Sequence, residues 1–171
     1  AAGKTAAEWV SGSTSKLVQL DAGTYTLTEE TAPNGYTVAE SITFTVDKTG
    51  KVTVNGNDAG GVITMKDDTT KVAISKQDLT GSQEISGATL QILDQNGDVV
   101  EEWVSGTDAH YIEAKLIAGE TYTLHEVGAP NGYAYAEDVA FTVGTDGKLQ
   151  TVTMQDDTTK VFISKQDLTT G

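Results

Sequence analysis

The sequence predicts an all-β protein built from tandem modules. Thr, Val, Ile and Tyr alternate with polar residues in short runs between Gly, Asn and Asp clusters, the period of two expected of strands and turns, while helix formers are poorly arranged. The stretch Ile63–Thr80, ITMKDDTTKVAISKQDLT, recurs as Val152–Thr169, VTMQDDTTKVFISKQDLT, differing only at the pairs 63/152, 66/155 and 73/162. Self-similarity on that scale marks an array of repeats, and in 171 residues it argues for modules of somewhat under about 100 residues.

Along the chain, AAGKTAAEWVSG at the start matches Gln95–Gly106, QNGDVVEEWVSG, so the sequence opens partway through a module. Tyr25–Glu29 and Tyr122–Glu126 alternate cleanly enough to be half-buried strands. Each runs into Ala-Pro-Asn-Gly-Tyr (Ala32–Tyr36, Ala129–Tyr133), where proline presets φ and Asn-Gly tolerates positive φ, so the chain turns. Ser41–Val46 and Val139–Val143 follow as strands, each closed by a glycine-containing hairpin turn, and a further strand leads to Met65 or Met154. The first copy carries an extra stretch, Asn55–Gly61, read as a flexible loop. Between Lys71 and Asp156 the count is about seven short strands, which suits an immunoglobulin-like sandwich. Only Asp68–Thr70 separates one module's last strand from the next module's first, so the array is expected to be stiff.

Composition narrows the function. Eleven basic against twenty-five acidic residues give a net charge of -14, which repels nucleic acid and anionic membranes and keeps the surface solvated. Apolar residues at 37% allow small cores only, and with no cysteine there is neither a disulfide nor a thiolate metal site to brace them. No apolar run approaches the roughly 18 residues of a membrane span, and no secretory signal is visible. Either the protein is cytosolic or the sequence is an excerpt of a longer secreted chain.

Three strands of the complete module end an apolar stripe in a charge. Val72, Ile74 and Lys76 share a face, as do Tyr122, Leu124 and Glu126, and Val152, Met154 and Asp156. Groups of this kind inside an apolar interior must pair, neutralise or react. Desolvation disfavours every charged form, so a neutral amine and a protonated carboxyl become accessible, the one a nucleophile and the other an electrophile that a second carboxyl can polarise. That combination can make an amide bond. The plainer alternative is an ordinary buried ion triad. A second alternative is a register shifted by one, with Lys71 and Ser75 inward, against which stand the two apolar residues in phase with each charge.

Ile74-Ser75-Lys76-Gln77-Asp78, the Tyr-Thr-Leu-x-Glu strand running into Ala-Pro-Asn-Gly-Tyr, and Met-x-Asp at the module's end occur together and in order. Over essentially the whole chain this resembles the B-type repeats of Gram-positive collagen adhesins, the Cna B-type domains found also in pilins and large surface adhesins. The resemblance implies a prealbumin-like, immunoglobulin-type β-sandwich stapled by a spontaneous intramolecular isopeptide bond. It implies Lys76 as amine donor, Asp156 as acceptor and Glu126 as the carboxylic acid that shuttles protons and polarises the Asp carbonyl. Many relatives carry asparagine where this chain has Asp156, so here water rather than ammonia would leave. Asp157 is the alternative acceptor, one residue out of phase with Val152 and Met154. In the first module Glu29 and Asp67 match the acid and the acceptor, without a lysine partner, and Lys165 matches the donor of a further module.

The expected organisation is a first module at 1–68 lacking its first two strands, a complete module at 69–157, and the first strand of a following module at 158–171. The expected role is structural and non-enzymatic beyond a single self-reaction: a stalk segment of a cell-wall-anchored, extracellular adhesin or pilus-like protein, partnered by its neighbouring modules. Two alternatives stand beside it, a module that binds a host protein or glycan, and head-to-tail self-association in which Lys165 of one molecule links to Asp67 of another. No cofactor or metal is expected. Asp94–Asp98 hints at a calcium loop but lacks the glycine and distal glutamate of one, and reads better as a hairpin turn. His110 and His125 sit at no ligand spacing and are read as surface residues, and Trp9 and Trp103, each in Glu-Trp-Val-Ser, as core.

Overall fold

The period-two alternation becomes strand where a neighbouring strand is present to satisfy its backbone, and stays irregular where none is. A computed structural model describes residues 3–81 and 83–167. The strands run in the order β1 (Gly23–Leu27), β2 (Tyr36–Thr37), β3 (Ile42–Val46), β4 (Val52–Val54), β5 (Asn57–Asp58), β6 (Asp68–Thr69), β7 (Lys71–Asp78), β8 (Thr89–Leu93), β9 (Val99–Val104), β10 (His110–Glu113), β11 (Thr121–Gly128), β12 (Val139–Thr142) and β13 (Leu149–Asp156). Among the described residues there is no helix. The chain divides into two units, one taking the residues up to Ala32 and Val38–Asp67, the other Pro33–Thr37 and the chain from Asp68 onward.

The first unit is a single antiparallel sheet in the order β1-β3-β4-β5. Tyr25 of β1 lies opposite Phe44 of β3, and their rings stack with centroids 5.6 Å apart. A single sheet has no opposing layer to bury its apolar face, and none of this unit's described residues is fully buried. Asn55–Gly61, expected to be a flexible loop, is in part a hairpin. Val54 pairs with Asn57 across Asn55-Gly56, both at positive φ (49° and 79°), the twist that a two-residue turn requires. Ile63–Asp67, expected as a strand, is irregular, because among the described residues no strand lies alongside it to take its hydrogen bonds. Trp9, expected in a core, is 40% exposed and outside any strand.

The second unit closes a sandwich. One sheet has the order β10-β7-β13, the other β12-β11-β8-β9. Their inward residues, among them Val72, Ile74, Leu90, Ile92, Leu124, Phe141, Val152 and Met154, form one buried core. The first and last strands of the sandwich, β7 and β13, are direct neighbours and run parallel, with Met154 opposite Lys76 and Asp156 opposite Asp78. Such a pair needs a long crossover, which here is the whole of β8 to β12. Trp103 borders the core and stacks on His110 (centroids 4.3 Å, 12° between planes), so His110 is half-buried rather than a plain surface residue. His125 is on the outer face and meets Asp138 at 2.7 Å. The Asp94 carboxylate accepts the amides of Asn96 and Asp98, as a hairpin turn asks.

Lys160–Asp167, which repeats the sequence of β7 with Phe162 for Ala73, forms no strand, and Val161, Phe162 and Ile163 are 82, 99 and 93% exposed. The remainder of the segment read as a following module's first strand, 168–171, lies outside the described residues.

Gly35 shows how tightly the turn Pro33–Thr37 is held in the second unit. Its φ is +86°, and a Cβ there would lie 2.3 Å from the Ala114 carbonyl oxygen. Gly132, its counterpart in the second repeat, has a φ of +88° and nothing within 4 Å. Gly35→Ala is therefore expected to lower stability by both backbone strain and overpacking, about 2–4 kcal/mol, and Gly132→Ala by strain alone, about 1 kcal/mol. Urea denaturation of the two variants side by side checks the difference.

Candidate functional site

The interior of the second unit's sandwich contains three ionisable side chains. β7 alternates, so Lys76 follows Val72 and Ile74 inward and is 1% exposed. β13 does the same, so Asp156 follows Val152 and Met154 inward at 0%. Glu126 comes from the opposite sheet, in phase with Tyr122 and Leu124 on β11, at 3%. The register of β11 on β8 shifts between Glu126 and Gly128, a bulge that begins immediately after Glu126.

The Lys76 Nζ donates to Asp156 Oδ1 in a very short contact and lies 3.0 Å from Glu126 Oε1. Glu126 Oε2 accepts the backbone N–H of Ala136 at 2.8 Å, which fixes the carboxyl plane. Apart from its ion pair with Lys76, Glu126 Oε1 has no partner among the described residues, and Asp156 Oδ2 is buried with no hydrogen-bond partner among them. Burial pushes the Asp156 carboxyl above its ordinary range, the Lys76 ammonium pulls the other way, and Glu126 adds to the rise.

A carboxylate that the sequence does not single out holds the lysine's backbone. Beyond the end of β10 at Ile74, the edge of β7 is covered by the return of Glu84 and Ile85. Glu84 Oε2 accepts the Lys76 N–H at 2.8 Å and its Oε1 accepts the Ser75 hydroxyl, while the Ile85 N–H donates to the Lys76 carbonyl at 2.8 Å. Ser75, on the outward phase, is buried for this reason. A lone glutamate in a loop carries no periodic signal that would have found it.

Lys76, Glu126 and Asp156 are thus brought together. Asp157, the alternative acceptor, points to solvent and accepts from the Thr158 N–H and Lys160 Nζ. Lys71 is partly exposed and pairs with Asp68, so the one-residue register shift is not adopted. In the first unit Glu29 is half-buried and accepts the Ala39 N–H at 2.8 Å, reproducing the Glu126–Ala136 bond. Asp67 is half-buried and Lys165 is exposed, and among the described residues neither makes a hydrogen bond or ion pair.

The parallel first and last strands, the second sheet across the core and the repeat point to one fold family, and comparison with known proteins decides it. The profile of the SpaA prealbumin-like fold domain matches residues 2–59 and 70–158. The chain belongs to the SpaA prealbumin-like family. Among solved structures, this SpaA-family chain is similar to the TIE protein of Bacillus anthracis (24% identity, TM-score 0.50, covering 80% of this chain and 25% of that one). It is also similar to the C-terminal fragment of the pilus adhesin SpaC from Lactobacillus rhamnosus GG (20% identity, TM-score 0.46, 85% and 80%). The shaft pilin SpaA of the same organism matches at 15% identity and a TM-score of 0.48, covering 82% and 66%. The SpaA-family chain spans about a quarter of the length of the Bacillus anthracis protein. No curated protein sequence matches it significantly.

Proposed function

We propose that this chain is a segment of the stalk of a bacterial surface adhesin or pilus-like protein, extracellular in place, whose complete module is stapled by an amide between Lys76 and Asp156. The observation that carries this reading is the convergence of Lys76, Glu126 and Asp156 from the first, a middle and the last strand of the sandwich into one sealed interior. One proton first passes from the Lys76 ammonium to the Asp156 carboxylate; the neutral Nζ then attacks the carboxyl carbon, a bond from Nζ to Cγ forms, the Cγ–OH bond breaks, and water leaves. Glu126 takes a proton from the amine and gives it to the departing oxygen. An ammonium and a carboxylate become a neutral amide, which removes the cost of keeping both charges dry.

Intact mass under denaturing conditions tests it. The chain should weigh one water less than its sequence, with the deficit in a branched peptide joining residues 71–78 to 149–156. The full sequence mass would leave an ordinary ion triad in place of a crosslink.

A second reading is supported by the exposed apolar side chains of Val161, Phe162 and Ile163, just before Lys165 in the sequence. Lys165 of one molecule would serve as donor to Asp67 of another, with Glu29, already held by Ala39, as the acid. Denaturing electrophoresis would then show a ladder of covalent multimers that Lys165→Ala abolishes.

A further inference from the structure

By sequence, Pro33–Thr37 belongs to the first repeat, yet it is part of the second compact unit. Its attachment is specific. β2 pairs with β6, Tyr36 opposite Thr69, and the Thr70 N–H donates to the Gly35 carbonyl at 2.9 Å. The Thr70 hydroxyl meets the carbonyls of both Gly35 (3.2 Å) and Leu116 (2.7 Å), and the Ala114 N–H donates to the Thr70 carbonyl at 3.0 Å. Thr70 thus joins a turn on one side to the Ala114–Leu116 loop on the other, and is 2% exposed. Ala114 itself takes a positive φ of 54° where it meets Gly35.

The second repeat builds the same clasp from the same residues. Tyr133 bridges Thr158, the Thr159 N–H donates to the Gly132 carbonyl at 2.8 Å, and the Thr159 hydroxyl meets that carbonyl at 3.2 Å. The turn closes through Tyr133 N–H to Pro130 at 3.1 Å, as Tyr36 closes on Pro33 at 3.0 Å. What differs is the far side. Gly132 faces open space, and Thr159 is exposed. A clasp with a positive-φ glycine and a bridging threonine is in place, and among the described residues no atom lies within 4 Å of a Cβ built at Gly132.

We propose that the Pro130–Tyr133 turn, with Thr158 and Thr159, is a docking site for a further repeat of this same sequence, seated through its counterpart of Ala114–Leu116. The occupant is read from the first clasp, where that loop already fills the jaw made by identical residues. Thr159 then bridges Gly132 to the incoming loop as Thr70 bridges Gly35 to Leu116. A glycine is required at 132 because a Cβ would meet the incoming backbone as it would at 35. This docking is independent of the Lys76–Asp156 amide.

The test lengthens the full chain by inserting a second copy of Lys71–Thr159 between Thr159 and Lys160. Hydrogen exchange read by mass spectrometry, with the inserted copy carrying Tyr133→Phe so that its turn peptide differs in mass, should show the original 130–134 peptide protected about tenfold more than in the 171-residue chain. Gly132→Ala should remove that gain and should cost more stability in the lengthened chain than in the present one, where only backbone strain is felt. Thr159→Val in the original copy, which keeps shape and loses the bridging hydroxyl, should cost the lengthened chain more stability than the 171-residue chain, where only the bond to the Gly132 carbonyl is lost. Equal exchange in the two chains, or equal cost of Gly132→Ala in both, would overturn the proposal.

Discussion

Lys76→Met is expected to leave the second module uncrosslinked, at full sequence mass, and less stable by several kcal/mol. Methionine preserves the apolar stem and the volume, so the loss isolates the charge. Among the described residues Lys76 is the one cation against Glu126 and Asp156, and removing one partner of a buried ionic group costs about 3–5 kcal/mol. The loop that the amide closes runs from 76 to 156, and the chain-entropy estimate for a crosslink over such a loop adds about 4–5 kcal/mol. The variant also gains a pH signature. Before the amide forms, burial raises the Asp156 carboxyl and Lys76 opposes the rise, so without the lysine the folded-state value climbs further above that of the unfolded chain. The folded state then holds the proton more tightly. Its stability is fullest below the unfolded value of about 3.9 and falls as pH rises through the folded one. Urea denaturation at several pH values, with Lys76→Met set against Lys76→Met/Asp156→Ala, reads this directly. A Lys76→Met stability that does not fall with pH relative to the double variant would contradict it.

Glu126→Gln is expected to fold with the same strand register and to form the crosslink about 100- to 10,000-fold more slowly, the range typical of losing a positioned general acid-base group. Glutamine keeps the shape and can still accept the Ala136 N–H, but it cannot take a proton from the Lys76 amine and return it to the departing oxygen. A time course of intact mass after purification distinguishes the cases. If the deficit is complete from the first time point, as in the unsubstituted chain, Glu126 only balances charge.

The triad was legible because strand side chains alternate strictly. Once Val72 and Ile74 are inward, Lys76 must be too, and the same holds for Glu126 and Asp156 on their strands. The two-sheet class was legible from the turn spacing for the same local reason. What escaped reading depends on contacts distant in sequence. Nothing in Leu149–Asp156 announces that it lies parallel to Lys71–Asp78, nor that Glu84 returns to cap Lys76. The sequence reads His110 as a surface residue, but Trp103, on the other sheet's edge, covers its ring. Trp9 shares its Glu-Trp-Val-Ser setting with Trp103, but burial needs the strands around it, which Trp9 does not have. Module borders drawn from the repeat miss that Pro33–Thr37 belongs to the following unit, since a turn's partner across a ladder leaves no period in the sequence.

The parallel pairing of β7 and β13 has a mechanical consequence. Tension entering at Lys71 and leaving after Asp156 pulls two adjacent parallel strands from opposite ends, so their ladder is loaded in shear, with every hydrogen bond strained together. With the proposed amide formed, the load passes from the Lys76 backbone through its side chain to Asp156. Residues 77–155 then carry no tension, and roughly 270 Å of contour length is withheld from extension. A tether assembled from such modules would behave as a cable of nearly fixed length.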